Sequence, residues 1–361
     1  MTDKWEYSVS DEKLEELIKN YCTDFTQLER QGRYDPITGR DEEIENCILI
    51  LLQKGRKNIC FLASAGVGKT AAVVGLAQKI VSEDVPDYLI GARILEIDLA
   101  RMASGTNSRA EFQDRFLPLC KAAAERYHNP DNPRIILFLD EIHQIMPSCI
   151  SSSYAGLSDT MKPYLTAGDL LVIGATTLDE YREHMSKDSA MDRRFQKVFL
   201  DPPNIPETYA ILKAIRQGFE KHHSLTIPNE ILMLTVCLTE KYMRKRNQPD
   251  KSIITMDAAM AHHVMTKGIN QELDVDAIYN AIACDVGMNA KAMHDDRLIE
   301  DVRKKVAIIE GDIKIDKKPK KENTKKQIFG SSEEIKNIEM DKDFQDELVN
   351  KGSESKLKQQ Q

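Results

Sequence analysis

Apolar positions in this chain follow two rhythms, one helical and one extended, and the two alternate. Ile44, Cys47, Ile48, Leu51 and Leu52 recur at i, i+3, i+4, i+7 and i+8, the spacing that lines one face of a helix, and the pattern ends near Gly55. Short apolar runs then appear at 58–62, 93–99, 134–139, 170–174 and 197–200, each separated from the next by a helical stretch. Runs of this length bounded by polar turns predict strands, and their alternation with helices predicts a parallel sheet covered on both faces. The expected fold class is α/β, with a five-stranded parallel sheet between helices spanning 34–203.

After Pro202-Pro203 the extended runs stop. Helical periodicity over 206–221, 229–245 and 255–267 predicts a smaller, mostly helical domain at 204–290, with Met256, Met260 and Met265 filling its core. Residues 1–33 are polar apart from Leu14, Leu17 and Ile18, which predict one short helix in an N-terminal extension. Residues 291–361 are dominated by Lys, Glu and Asp, and 314–326 is a lysine-rich run without apolar periodicity. That stretch reads as a solvated, largely disordered linker or tail.

Composition narrows the function classes. The 361 residues suffice for two globular units. A net charge of −8 argues against general nucleic-acid binding, in which basic side chains supply most of the affinity. No apolar run approaches the roughly 20 residues of a membrane span, and the N-terminus lacks the basic-then-apolar order of a secretory leader. Cys22, Cys47, Cys60, Cys120, Cys149, Cys237 and Cys284 include no C-x-x-C pair, which fits reduced thiols in a cytoplasmic protein. His222-His223 and His262-His263 have no acidic or cysteine partners at ligand spacing and are expected to be packed or solvated.

Two segments carry chemistry. FLASAGVGKT at 61–70 nearly spells the phosphate-cradling loop G-x-x-x-x-G-K-[ST], with Ala63 in place of the first glycine. A strand before it and a helix from Lys69 give the required context. Backbone N–H groups of Ser64, Ala65, Gly66, Val67, Gly68, Lys69, Thr70 and Ala71 are then expected around the phosphates of a nucleotide. Lys69 meets the terminal phosphates, and the Thr70 hydroxyl is a Mg2+ ligand. An alanine at position 63 costs roughly 1–2 kcal/mol if the site needs a left-handed backbone, and almost nothing otherwise. The second segment is Ile135-Ile136-Leu137-Phe138-Leu139-Asp140-Glu141, a buried strand delivering two carboxylates to its C-terminal end. Asp140 is the expected Mg2+ partner, and Glu141 the residue that polarises the attacking water.

Further segments resemble the AAA+ ATPases of the Clp family. Tyr34-Asp35-Pro36-Ile37-Thr38-Gly39-Arg40-Asp41 is similar to that family's adenine-side box, which implies that Ile37 and Thr38 face the base; Thr38 stands at a usually apolar position. LDEIH at 139–143 also resembles the family. Gly174-Ala175-Thr176-Thr177-Leu178-Asp179-Glu180-Tyr181-Arg182 resembles its sensor segment, and Asp192-Arg193-Arg194-Phe195-Gln196-Lys197-Val198-Phe199 its arginine-finger segment. Gln248-Pro249-Asp250-Lys251 resembles the P-D-K box of its small domain. The likeness is to the first of two ATPase domains in Clp unfoldases and disaggregases and runs over about 22–290. It implies an AAA+ nucleotide-binding domain with a helical lid, ATP and Mg2+ as cofactors, and Thr177 orienting the water. It also implies Arg193 and Arg194 acting on a neighbouring subunit's nucleotide, hence self-association into a ring, hexameric in the family's manner.

The pattern departs from the family in places. Gly105-Thr106-Asn107-Ser108-Arg109-Ala110-Glu111-Phe112 matches a polypeptide-threading loop, but Ser108 replaces its aromatic. A paired-repeat N-terminal domain, a coiled-coil arm and a second phosphate loop are not found in the sequence, so protease docking is not expected. The leading expectation is an ATPase that couples hydrolysis to remodelling a protein partner. The alternatives are an ATP-binding assembly or adaptor module with little turnover, and a truncated remnant of a two-domain unfoldase.

Overall fold

The computed structural model describes residues 9–106, 109–129, 132–149, 152 and 154–311. Asn107, Ser108 and the lysine-rich run at 314–326 therefore lie outside the described residues. The chain opens with α1 (Asp11–Tyr21), β1 (Cys22–Asp24), α2 (Phe25–Arg30) and α3 (Asp41–Leu51). There follow β2 (Asn58–Leu62), α4 (Lys69–Val81), β3 (Arg93–Ile97), α5 (Leu99–Ala103), α6 (Arg109–His128) and β4 (Ile135–Leu139). The α/β part closes with α7 (Ser158–Ala167), β5 (Leu171–Thr176), α8 (Leu178–Glu180), α9 (Ser189–Asp192) and β6 (Phe195–Phe199). Six helices complete the described chain: α10 (Ile205–His223), α11 (Asn229–Tyr242), α12 (Asp250–Lys267), α13 (Val275–Val286), α14 (Ala290–Met293) and α15 (Asp296–Ile309).

The strands form one sheet in the order β1-β3-β4-β5-β2-β6. β2 to β6 are mutually parallel, as the apolar runs predict. The sheet nevertheless has six strands. β1 pairs antiparallel with β3, Cys22 opposite Ile97 and Asp24 opposite Leu95. A three-residue strand is too short to show periodicity, so its place came from packing. Leu14, Leu17 and Ile18 of α1 are buried in the same core. Arg93 ties the segment down, with Nε donating to Asp24 at 2.8 Å and Nη1 to Glu15 at 2.5 Å.

Alternation along each strand divides the core in two. Cys60 and Leu62 face the side covered by α1, α6 and α7, whereas Ile59 and Phe61 face α3 and α4. Every residue of β2, β4 and β5 is buried, which is what a strand covered on both faces requires.

The helical part has its own core around Leu232, Met256, Met260 and Ile278. Met256 and Met260 are buried, but Met265 is 77% exposed, because five residues past Met260 carries it to the opposite helix face. Val302 and Val306 of α15 join this core, although their segment reads from composition as tail. His223 Nε2 lies 2.7 Å from Asp257 Oδ1, and the buried His263 lies 3.2 Å from Asp274.

Candidate active site

Strand order brings the chemistry together. β4, β5 and β2 are neighbours, and their register sets Leu62 opposite Thr176 and Leu139 opposite Gly174. The residues that follow these strands, Ala63–Gly68, Asp140-Glu141 and Thr177, thus emerge side by side at one sheet edge, the usual ligand edge of parallel sheets.

Ala63 continues β2: it is 6% exposed, and its N–H donates to the Thr176 carbonyl at 3.2 Å. It is not among the residues with positive φ, so the alanine costs nothing here. The turn is made instead by Gly66 at φ 78° and Gly68 at φ 104°, the latter capping α4 in the left-handed region. A methyl group on Gly66 would also stand 2.9 Å from the Asp250 Cβ of the helical part. The Lys69 ammonium donates to the Ala63 carbonyl at 3.2 Å and has no carboxylate partner among the described residues. Thr70 is exposed, with no hydrogen bond from its hydroxyl among those residues.

Across β5, Asp140 Oδ1 accepts the Glu141 N–H at 3.0 Å. Glu141 itself has φ 50° and ψ 47°, an uncommon backbone for a glutamate and one of the conformations that collect at functional sites. Its Oε2 is buried without a hydrogen bond, though His143 Nδ1 lies 3.3 Å away. Burial, helped by the nearby charges of Glu180 and Asp140 and opposed by Lys69, holds this carboxyl above its usual range. Such a group is suited to taking a proton.

Thr177 caps α8. Its hydroxyl donates to Glu180 Oε2 at 2.8 Å and accepts the Glu180 N–H at 3.3 Å. The neighbouring Thr176 Oγ1 also donates to Glu180 Oε2, at 2.9 Å, and lies 3.0 Å from His143 Nδ1.

Arg193 and Arg194 stand elsewhere. They precede β6, whose first residue, Phe195, is level with Asn58 at the start of β2. The phosphate loop leaves the other end, about 13 Å away at some 3.3 Å per residue. Neither guanidinium is placed beside its own chain's loop. Arg194 is anchored, donating to the Ala190 carbonyl at 2.6 Å and Thr166 Oγ1 at 2.8 Å. Arg193 is exposed and makes no such bond among the described residues.

In the segment expected to flank the base, Ile37 N–H donates to Gln78 Oε1 at 3.0 Å, and the Thr38 hydroxyl is buried with no hydrogen-bond partner among the described residues. Several contacts are not assigned by the motifs. Arg40, 6% exposed, ties the phosphate loop to the chain leaving β6 by donating to the Val67 carbonyl at 2.8 Å and the Asp201 carbonyl at 2.9 Å. Asn247 Nδ2 donates to the Ala65 carbonyl at 3.0 Å, bringing the helical part onto the loop. Lys251 turns away, its ammonium 2.7 Å from Glu240 Oε2.

These residues fit a magnesium-bound triphosphate. An ammonium resting on a carbonyl, an exposed threonine hydroxyl, a carboxylate pair and glycine-built N–H groups supply the complementary charges and donors.

Residues 59–200 match the family described as "ATPase family associated with various cellular activities (AAA)", and residues 204–307 match the AAA lid domain. The chain belongs to the AAA ATPases, carrying an AAA domain followed by an AAA lid. Within that class it is similar to the chaperone protein ClpB of Dichelobacter nodosus, 42% identical over 74% of this chain and 30% of the relative. Among solved structures it is similar to a S. cerevisiae Hsp104:casein complex, with TM-score 0.68 and 33% identity over 78% of this chain and 47% of that one. It is also similar to a S. cerevisiae Hsp104-ADP complex, with TM-score 0.69 and 31% identity over 81% of this chain and 52% of that one. The chain thus spans less than a third of that curated relative and about half of the yeast chains.

Proposed function

We propose that this chain binds ATP with Mg2+, hydrolyses it, and couples turnover to remodelling a protein partner within a self-assembled ring, hexameric in the manner of the Clp family. The observation that carries it is the division of charge across the sheet. Lys69, Asp140 and Glu141 meet at one edge, while an exposed Arg193, unpaired among the described residues, stands at the other, out of reach of its own loop. A phosphoryl-transfer site built this way is complete only when a second subunit supplies the arginine.

Ser64–Ala71 N–H groups and Lys69 hold the phosphates, and Ile37 and Thr38 flank the base. Thr70 and Asp140 hold the metal, which when bound neutralises phosphate charge. Glu141 accepts the proton of the attacking water. Thr177, locked in its cap with Glu180, keeps the end of β5 rigid beside that water. Arg193 is the primary trans-acting donor, with Arg194 placing it through its bonds to Ala190 and Thr166. The similarity to Hsp104, solved as a complex with casein and with ADP, supports a protein substrate and an adenine nucleotide.

The test is ATPase activity of purified protein against concentration, with sizing in ATP. Specific activity is expected to rise as subunits assemble, and Glu141→Gln is expected to abolish it while nucleotide still binds. Tight ATP binding without phosphate release by the wild-type chain would replace this reading with a nucleotide-dependent assembly module.

A further inference from the structure

The turn after β4 contains a side chain that the site as described leaves without work. His143 Nδ1 lies 3.0 Å from Thr176 Oγ1, 3.3 Å from Glu141 Oε2 and 3.4 Å from Glu180 Oε2. Hydrogen-bond direction assigns its proton. Thr176 spends its hydroxyl hydrogen on Glu180, so its oxygen accepts, and the imidazole carries N–H at Nδ1. Burial, set against the pull of Glu180, holds His143 below its ordinary basicity, so the ring is neutral and has that one N–H to give.

The three acceptors are unequal. Glu180 Oε2 already receives the Thr176 hydroxyl, the Thr177 N–H at 3.0 Å and the Thr177 hydroxyl. The Thr176 oxygen already gives its hydrogen to Glu180 and can take only a share of the His143 N–H. Glu141 Oε2 is buried, with no N–H or O–H donor hydrogen-bonded to it among the described residues and the Glu180 carboxyl beside it, so it is the atom that gains most from a donor. The same atoms could suggest a metal site, since they lie within 4.8 Å of one another. The saturated state of Glu180 Oε2 argues instead for a hydrogen bond.

We propose that His143 is the positioning residue for Glu141. Its Nδ1–H, shared between the Thr176 oxygen at 3.0 Å and Oε2 at 3.3 Å, steadies Oε2, leaves the other carboxylate oxygen for the attacking water, and links Glu141 through Thr176 to the cap at the end of β5. This inference rests on Glu141 acting as proposed above.

Steady-state ATPase kinetics on the full chain test it, with His143→Leu, His143→Asn, Glu141→Gln and the Leu/Gln double variant. Asparagine keeps an N–H near the Nδ1 position; leucine keeps volume without a donor. His143→Leu is expected to lower kcat about ten-fold or more, as for loss of a hydrogen bond to a charged group, with little change in the KM for ATP. His143→Asn is expected to recover most of that loss. The double variant should be no slower than Glu141→Gln alone, because the two residues act as a unit. Binding of a fluorescent ATP analogue and thermal midpoints report whether each variant is folded. Wild-type kcat in His143→Leu beside an inactive Glu141→Gln overturns the inference alone, as does a His143→Asn no faster than the leucine variant. Full turnover in Glu141→Gln overturns the reading beneath it.

Discussion

Ala63 shows why a motif letter is not yet a physical statement. The loop sequence raises the cost of an alanine without deciding it, because that cost depends on φ. With Ala63 extending β2 at negative φ, a glycine there gains no loop geometry and adds unfolded-state entropy. Ala63→Gly is therefore expected to destabilise by about 0.5–1 kcal/mol in thermal or denaturant unfolding and to leave nucleotide affinity unchanged. A clear rise in affinity would show that the loop is strained by its alanine. Lys69, Asp140 and Glu141 were readable from spacing alone. His143, Arg40 and Asn247 were not, since each acts on a segment far away in sequence or through a turn whose geometry no pattern encodes.

Short elements hold the site in place. The 3-10 turn Ile142–Ile145 lies against β5 where Gly174 has no side chain; a Cβ there would stand 2.5 Å from Ile142 Cδ1 and 3.1 Å from its Cβ. Gly174→Ala should push this turn outward, costing about 1–3 kcal/mol by overpacking. It should also lower kcat by displacing Glu141, measured as turnover against unfolding midpoint; unchanged kcat in a destabilised variant would separate the turn from catalysis. The cap at α8 has its own pH signature. Burial works to raise the Glu180 pKa, but hydrogen bonds from Thr177 and Thr176 outweigh it and hold the carboxyl below its ordinary 4.5. With the folded value depressed, the stabilisation is full above about 4.5 and is lost as pH falls through the lowered value. The wild-type melting temperature should exceed that of Glu180→Gln near neutrality, and the two curves should converge in acid. Parallel curves would mean that Glu180 contributes no charge-dependent stability. Neither the cap nor its coupling to His143 was read from the sequence; both rest on contacts that the fold makes.

For the molecule as a whole, Arg193 and the phosphate loop sit at opposite ends of paired strands. Subunit mixing tests the consequence. Arg193→Ala protein keeps its own carboxylates but cannot complete a neighbour's site, and Glu141→Gln protein has the reverse defect. Mixed assemblies are expected to hydrolyse ATP faster than either variant alone; activity no greater than the sum of the two would place the arginine outside a neighbour's site. No helix among the described residues is long and apolar enough to cross a membrane. Met265, Ile269 and Phe199, at 77%, 52% and 58% exposure, are large apolar side chains left on the surface.

Local pattern determined the five parallel strands, the glycine–lysine loop and the acidic pair, because strand burial and phosphate binding each demand particular residue types at fixed spacing. Tertiary structure alone decided the sixth strand, since three residues carry no periodicity and pair only when α1 and Arg93 hold them to β3. It also decided which arginine is anchored, which hydroxyl is spent in a cap, and that α15 belongs to the lid core. Those outcomes depend on which partners arrive from distant segments, and hydrogen bonds and burial are settled only there.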